Sequence, residues 1–123
     1  MDVTLRYAKV VDSQRYRLAA GHIGDLESGV ELTGEPPAPA AEFVVVRAWD
    51  RSDGAFTETW RIVDPHGRTV RDPVDREYVD ADEAADFVGD QTFEYADDGY
   101  EVVFEVDGLE AARADFPVQP PGA

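Results

Sequence analysis

In the run Tyr100-Glu101-Val102-Val103-Phe104-Glu105-Val106-Asp107-Gly108, Tyr100, Val102, Phe104 and Val106 fall on one face of an extended chain. Glu101 and Glu105 fall on the other. That period of two marks a half-buried strand, and Asp107-Gly108 is a hairpin turn signal. Beyond the turn, Ala112, Ala114, Phe116 and Val118 form a second inward set. A strict two-residue loop would place Arg113 opposite Val102, on the apolar face. A one-residue shift, by a three-residue loop or a bulge, brings Ala114 there instead.

The same alternation recurs upstream. Phe56 to Val63 carries Phe56, Trp60 and Ile62 on one face and Thr57, Thr59 and Arg61 on the other. Glu58 interrupts the apolar face and is read as a sheet-margin residue. Asp64-Pro65-His66-Gly67 is a turn, because proline presets φ, glycine supplies positive φ and aspartate bonds its own backbone. Arg68 to Arg71 is the expected short return strand. Glu42 to Trp49, with Phe43 to Val46 apolar without a break, suits a central strand buried on both faces. The turn after it is Asp50-Arg51-Ser52-Asp53-Gly54.

At the amino end, Asp2 to Val11 alternates as a strand. Tyr16 to Ile23 is expected as its partner after a polar turn at Asp12-Ser13-Gln14. Gly24 to Ala40 reads as a long loop with room for a short strand at Val30 to Leu32. Pro36, Pro37 and Pro39 exclude a central strand there. Asp72 to Asp98 holds eleven acids in 27 residues, with Arg76 the only base. Its first part is expected as a surface loop with at most one helical turn at Asp80 to Asp86. Phe87 to Tyr95 returns to strand, and Asp97-Asp98-Gly99 is a turn. Seven to nine short strands without a helix predict an all-β, antiparallel β-sandwich. It forms one domain over residues 1–118, with 119–123 as a flexible tail.

Trp60-Arg61-Ile62-Val63-Asp64-Pro65-His66-Gly67-Arg68-Thr69-Val70 resembles the strand, Asp-Pro-x-Gly turn, strand unit of prokaryotic immunoglobulin-like and fibronectin-like domains. Asp98-Gly99-Tyr100-Glu101-Val102 resembles the entry into their penultimate strand, where a corner tyrosine bonds upstream backbone. In pattern and order the whole chain is similar to stand-alone prokaryotic immunoglobulin-like sandwiches of unknown function. The resemblance implies that fold and carries no catalytic residues. The cysteine pair of antibody domains is absent, and the acidic stretch Asp72 to Asp86 departs from the compact loop expected.

The chain of 123 residues has 27 acids against 11 bases, a formal charge of −16 with pI near 4.2. Such a surface repels nucleic-acid backbone and anionic membrane alike. Lys9 is the only lysine, and asparagine and cysteine are absent. Molar salt in a halophilic cytosol would screen this charge. The sharper alternative is a mimic of duplex DNA. No apolar run is long enough to span a bilayer, and Met1-Asp2-Val3 does not begin a signal peptide, so the expected location is cytoplasmic.

The chemistry is narrowed mainly by exclusion. His22 and His66, 44 positions apart and without cysteine, make a poor zinc set. Asp80, Asp82, Glu83 and Asp86 are the best calcium candidates, with Asp97 and Asp98 as a second cluster. An EF-hand fails because Ala85 stands where glycine is needed. Ser13, Ser28 and Ser52 lack a nucleophile-elbow frame. No phosphate-binding glycine loop is present. Arg15, Tyr16 and Arg17 are the only local basic-aromatic group, and their ordinary role is pairing with nearby acids. Trp49 and Trp60 are read as core packing. The expected function is therefore a non-enzymatic accessory or protein-interaction module without a cofactor, facing a partner with a basic surface. Its contacts would come from sheet edges or from the Gly24–Ala40 and Asp72–Asp86 segments. The alternative is a cation- or small-ligand-binding sandwich using loop carboxylates. A DNA mimic or a small hydrolase ranks third.

Overall fold

The computed structural model describes residues 3–51 and 54–122. Asp2, Ser52, Asp53 and Ala123, which belong to the expected first strand, the turn after Trp49 and the tail, lie outside the described residues.

Strand β1 (Val3–Asp12) leads directly into helix α1 (Ser13–Ala19), where a strand was expected at Tyr16 to Ile23. The Asp12 side chain accepts the Gln14 and Arg15 N–H groups at 3.0 and 3.1 Å, satisfying two amides that a helix start otherwise leaves unpaired. Ala20, in the left-handed region at φ 50°, ends the helix. A 3₁₀ turn (Ile23–Asp25) follows. Alternation alone would put Tyr16 and Leu18 on one buried face. In the helix Tyr16 packs inward and Leu18 is 79% exposed.

The remaining strands are β2 (Val30–Glu31), β3 (Ala38–Pro39), β4 (Phe43–Arg51), β5 (Phe56–Val63), β6 (Thr69–Tyr78), β7 (Glu83–Val88), β8 (Thr92–Phe93), β9 (Asp97–Val106) and β10 (Leu109–Gln119). The chain is all-β, with a three-stranded sheet ordered β1-β4-β7 and a five-stranded sheet ordered β2-β10-β9-β5-β6. The two-residue strands β3 and β8 pair separately. The sheets are not wholly antiparallel, because β2 runs parallel to β10 through Val30 and Val118.

Val10, Phe43, Val45 and Trp49 meet Phe56, Trp60, Ile62, Tyr100, Val102, Phe104 and Phe116 in one core. The other face of β4 is also covered. Val44 and Val46 lie with Val11 beneath Tyr16, Ile23 and Leu26. Lys9 secures this cover, its Nζ donating to the Ile23 and Leu26 carbonyls at 2.9 and 2.6 Å. Phe43 to Val46 is thus apolar throughout because both faces are buried, as its sequence indicates.

The carboxyl hairpin has the expected phase. Asp107 and Gly108 form its tip at φ 49° and 87°. A shift between Glu110 and Ala112 sets Ala114 opposite Val102 and turns Arg113 outward, opposite Val103. The Asp64 turn also forms as read: its Oδ1 accepts the His66 and Arg68 N–H groups at 2.8 and 2.9 Å.

The acidic stretch is where the expectation fails. Asp72 to Asp86 is not a loop with a helical turn. The return strand β6 extends to Tyr78, well past Arg71, and β7 already begins at Glu83. Val74 and Tyr78 pair with Trp60 and Phe56 on the inner face, so their neighbours Asp75 and Glu77 face solvent. Extended pairing with β5 decides the conformation, and the acids occupy the solvated positions. Strand does not continue from Phe87 to Tyr95, since β7 ends at Val88. Asp97-Asp98-Gly99 opens β9 rather than forming a turn.

Candidate functional site

Two strands that are otherwise apolar on their inner faces each carry one charged side chain into the core. Arg47 lies on β4 between the inward Val45 and Trp49. Glu58 lies on β5 between the inward Phe56 and Trp60. Both side chains are 0% exposed, so Glu58 is a core residue and not a margin residue. Their opposite signs explain why they are tolerated: burial of either charge alone would carry a large desolvation penalty.

The pair is embedded in a hydrogen-bonded network. Arg47 Nε donates to both Glu58 oxygens at 3.1 and 3.0 Å, and Nη2 donates to Glu58 Oε1. Arg47 Nη1 reaches the Val45 carbonyl at 3.0 Å. Glu58 Oε2 also accepts from Trp49 Nε1 at 2.6 Å and from the Tyr78 hydroxyl at 3.0 Å. Asp86 on β7 extends the network toward solvent, accepting from Arg47 Nη2 at 2.9 Å, Trp60 Nε1 at 2.8 Å and Arg76 Nη2 on β6. Two guanidiniums and two carboxylates thus link β4 and β7 of one sheet to β5 and β6 of the other.

Burial shifts the titration of these groups, and their partners oppose or reinforce it. Burial pushes the Tyr78 hydroxyl far above its ordinary value, and the Glu58 charge adds to this. Burial pushes the Asp86 carboxyl up, but Arg76, Arg47 and the Trp60 N–H outweigh it, and Asp86 titrates below the usual carboxylate range. Asp64 behaves similarly: burial opposes ionisation, while the Arg68 and His66 backbone N–H groups more than compensate. A carboxylate whose folded pKa lies below its unfolded value stabilises the fold above about pH 3.9, and that contribution disappears as pH falls through the folded value. The protein is therefore expected to lose stability on acidification below about pH 4. Asp86→Asn should be less stable at pH 7 and show a flatter acid limb in urea melts from pH 7 to 2.5. Parallel acid limbs would remove Asp86 from this account.

The calcium candidates occupy different environments. Asp80 lies exposed in the β6–β7 connection. Asp82 Oδ1 is 2.8 Å from Arg51 Nε. Glu83 is exposed, and Asp86 turns inward to its cations. Among the described residues, no group of three or more His, Asp or Glu side chains is placed to hold a metal ion. Asp97 Oδ1 instead accepts the Gly99 N–H at 2.7 Å. His22 is exposed, and His66 meets Tyr95 edge-on. Ser28 Oγ accepts the Val10 N–H, Ser13 is buried at the helix start, and Ser52 lies outside the described residues. Arg17 pairs with Glu42 at 3.3 Å and lies over Phe87, against which Tyr16 packs edge-on. Trp49 and Trp60 are buried, as read. The Tyr100 hydroxyl donates to the Tyr95 carbonyl at 3.1 Å, the contact expected of a corner tyrosine.

The outer face of the five-stranded sheet has a different character. Asp75 and Glu77 on β6 lie beside Thr59 and Thr57 of β5. On β9 and β10, Glu105 stands directly opposite Glu110, and Glu101 directly opposite Asp115. Arg61 binds Glu105 at 2.9 Å, and Arg113 binds Glu110 at 2.9 Å and Glu101 at 3.4 Å. Six carboxylates thus share this face with two guanidiniums, whose stems cover the outward but fully buried Val103. No helix among the described residues is long and apolar enough to cross a membrane. No family model and no curated protein matches the chain.

Proposed function

We propose that the protein is an immunoglobulin-like β-sandwich that serves in the cytoplasm as a non-enzymatic interaction module for a partner with a basic surface. The two sheets around one core and the Tyr100 corner contact support the fold reading, while the parallel pairing of the short β2 with the last strand departs from a wholly antiparallel sandwich. The inward charged groups support a structural role for the core network, since they bind one another. The outer face of the five-stranded sheet presents mainly carboxylates to solvent.

The observation that carries the proposal is the two like-charge cross-strand pairings in the register, Glu105 opposite Glu110 and Glu101 opposite Asp115. Directly opposed like charges destabilise a sheet. Their concentration on one broad face fits a surface kept for electrostatic complementarity to a basic partner. Asp115→Lys converts one repulsive pair into an attractive one. It is expected to stabilise the fold by about 0.5–1 kcal/mol and to weaken capture of basic proteins from the source cytosol at low salt. Unchanged capture by this variant and by Glu101→Lys would overturn the assignment of that face.

A further inference from the structure

The two sheets end in four edge strands, and three of them are blunted. β6 contains Pro73 beside a register shift, β1 has a bulge between Leu5 and Tyr7, and β2 is only two residues long. These are common devices against strand addition. β7 has no proline, glycine or bulge, and its six residues pair in unbroken register with β4.

The register identifies which backbone groups of β7 are open. Trp49 N–H donates to the Asp82 carbonyl at 2.8 Å, making that a hydrogen-bonded pair. Antiparallel pairs alternate, so Ala84, Asp86 and Val88 bond toward β4, while Glu83, Ala85 and Phe87 direct their N–H and C=O groups away from it. No backbone or side-chain partner reaches these outward groups among the described residues. The outer-face side chains beside this edge are Ala85 and the 45% exposed Phe87. A hollow of about 450 Å³ adjoins it, lined by Tyr7, Tyr16, Ile23, Val46 and Ala85, with Glu83 among its walls.

We infer that β7 is the docking edge for an extended segment of a partner protein, added as a fourth strand, with basic side chains alternating with aliphatic ones. This rests on the proposed interaction role and adds to the β9–β10 face a second, separate contact on the other sheet. Backbone pairing would supply affinity and the hollow would supply selectivity for alternate side chains. A lysine or arginine suits this face, because its apolar stem can lie across Ala85 at the near wall of the hollow while its cationic head meets Glu83 on the same strand. Exposed Asp80 and the half-exposed Asp82 extend the negative potential along the same side. A second copy of the chain is disfavoured as occupant, because it would bring another charge of −16 to this edge.

The test uses the full-length, isotope-labelled protein and an acetylated eight-residue Lys-Val repeat, with the Glu-Val repeat as control. Amide exchange at Glu83, Ala85 and Phe87 is expected to slow by about tenfold with the Lys-Val peptide alone. Ala85→Pro removes an outward N–H without breaking the β4 ladder, and should weaken peptide binding by about tenfold. Glu83→Lys leaves the backbone intact and should weaken it in the same direction. Protection elsewhere, or binding unaffected by both variants, overturns the edge assignment. Peptide shifts confined to Glu101, Glu105 and Asp115 would do so while leaving the basic-partner reading standing. No response at any site would remove both. Protection that appears without peptide, together with a doubled mass, would identify a second copy as the occupant and overturn the partner assignment.

Discussion

Removing the charge of Glu58 alone, as Glu58→Gln, is expected to destabilise the protein by about 3 kcal/mol, because it breaks a buried ion pair and leaves Asp86 as the only carboxylate on Arg47. For a chain of this size that is roughly a 10–20 °C fall in melting temperature. Arg47→Met should cost about as much, by leaving the Glu58 carboxylate buried with only the Trp49 N–H and Tyr78 hydroxyl as donors. The double variant Arg47→Met/Glu58→Gln leaves neither charge unpaired, and its side-chain amide oxygen can still accept from Trp49 and Tyr78. Its loss should be well below the sum of the two singles, giving a coupling energy of about 3 kcal/mol in a double-mutant cycle. Strict additivity would mean that the two charges do not depend on each other in the core. Such a pair adds little net stability over a well-packed apolar pair. Its value here lies in register: Arg47 finds Glu58 and Asp86 only when both sheets are aligned as observed.

That network also shows why the sequence discloses the fold more readily than the site. Alternation in Phe56–Val63 and Tyr100–Val106 reports burial directly, because each residue on the inner face is apolar for the same reason. It even anticipates the bulge after Glu110, since Arg113 cannot face the core. Glu58 breaks the alternation, and a single strand offers two explanations for a break: a sheet margin or a buried partner. Choosing between them requires Arg47, eleven positions away on a strand whose continuous apolar run hides which residues face inward. Asp86 is harder still to identify, because it lies among acids that are mostly solvated, and its inward orientation follows only from the β4–β7 register. Helix α1 is hidden in the sequence for a local reason. Its determinant is the Asp12 cap and not periodicity, and Tyr16 with Leu18 satisfies a strand pattern equally well over so short a segment. The acidic strands are masked by their composition, which overshadows the inward Val74, Tyr78, Ala84 and Val88.

Raising KCl from 0.1 to 2 M is expected to raise the melting temperature, by about 10 °C. Two like charges 10 Å apart in water repel by about 0.4 kcal/mol before screening. An excess of sixteen acids confined to one small fold creates many such pairs. At 0.1 M the screening length of about 10 Å still admits neighbouring charges, while above 1 M it falls to about 3 Å or less and the repulsion is largely removed. Salt also weakens attractive surface pairs such as Arg6–Asp50 and Arg113–Glu110, but exposed pairs of this kind contribute little because water already screens them. The Arg47–Glu58 pair is shielded from solvent ions by its burial. Repulsion therefore dominates the salt response, and added KCl should stabilise. The same screening should weaken attraction of a basic partner to Glu101, Glu105 and Asp115, so stability and binding are expected to move in opposite directions with salt. A melting temperature that stays flat or falls would show that the carboxylates are compensated locally by their arginines, leaving the opposed pairs on β9 and β10 without the electrostatic cost on which the proposed acidic interface rests.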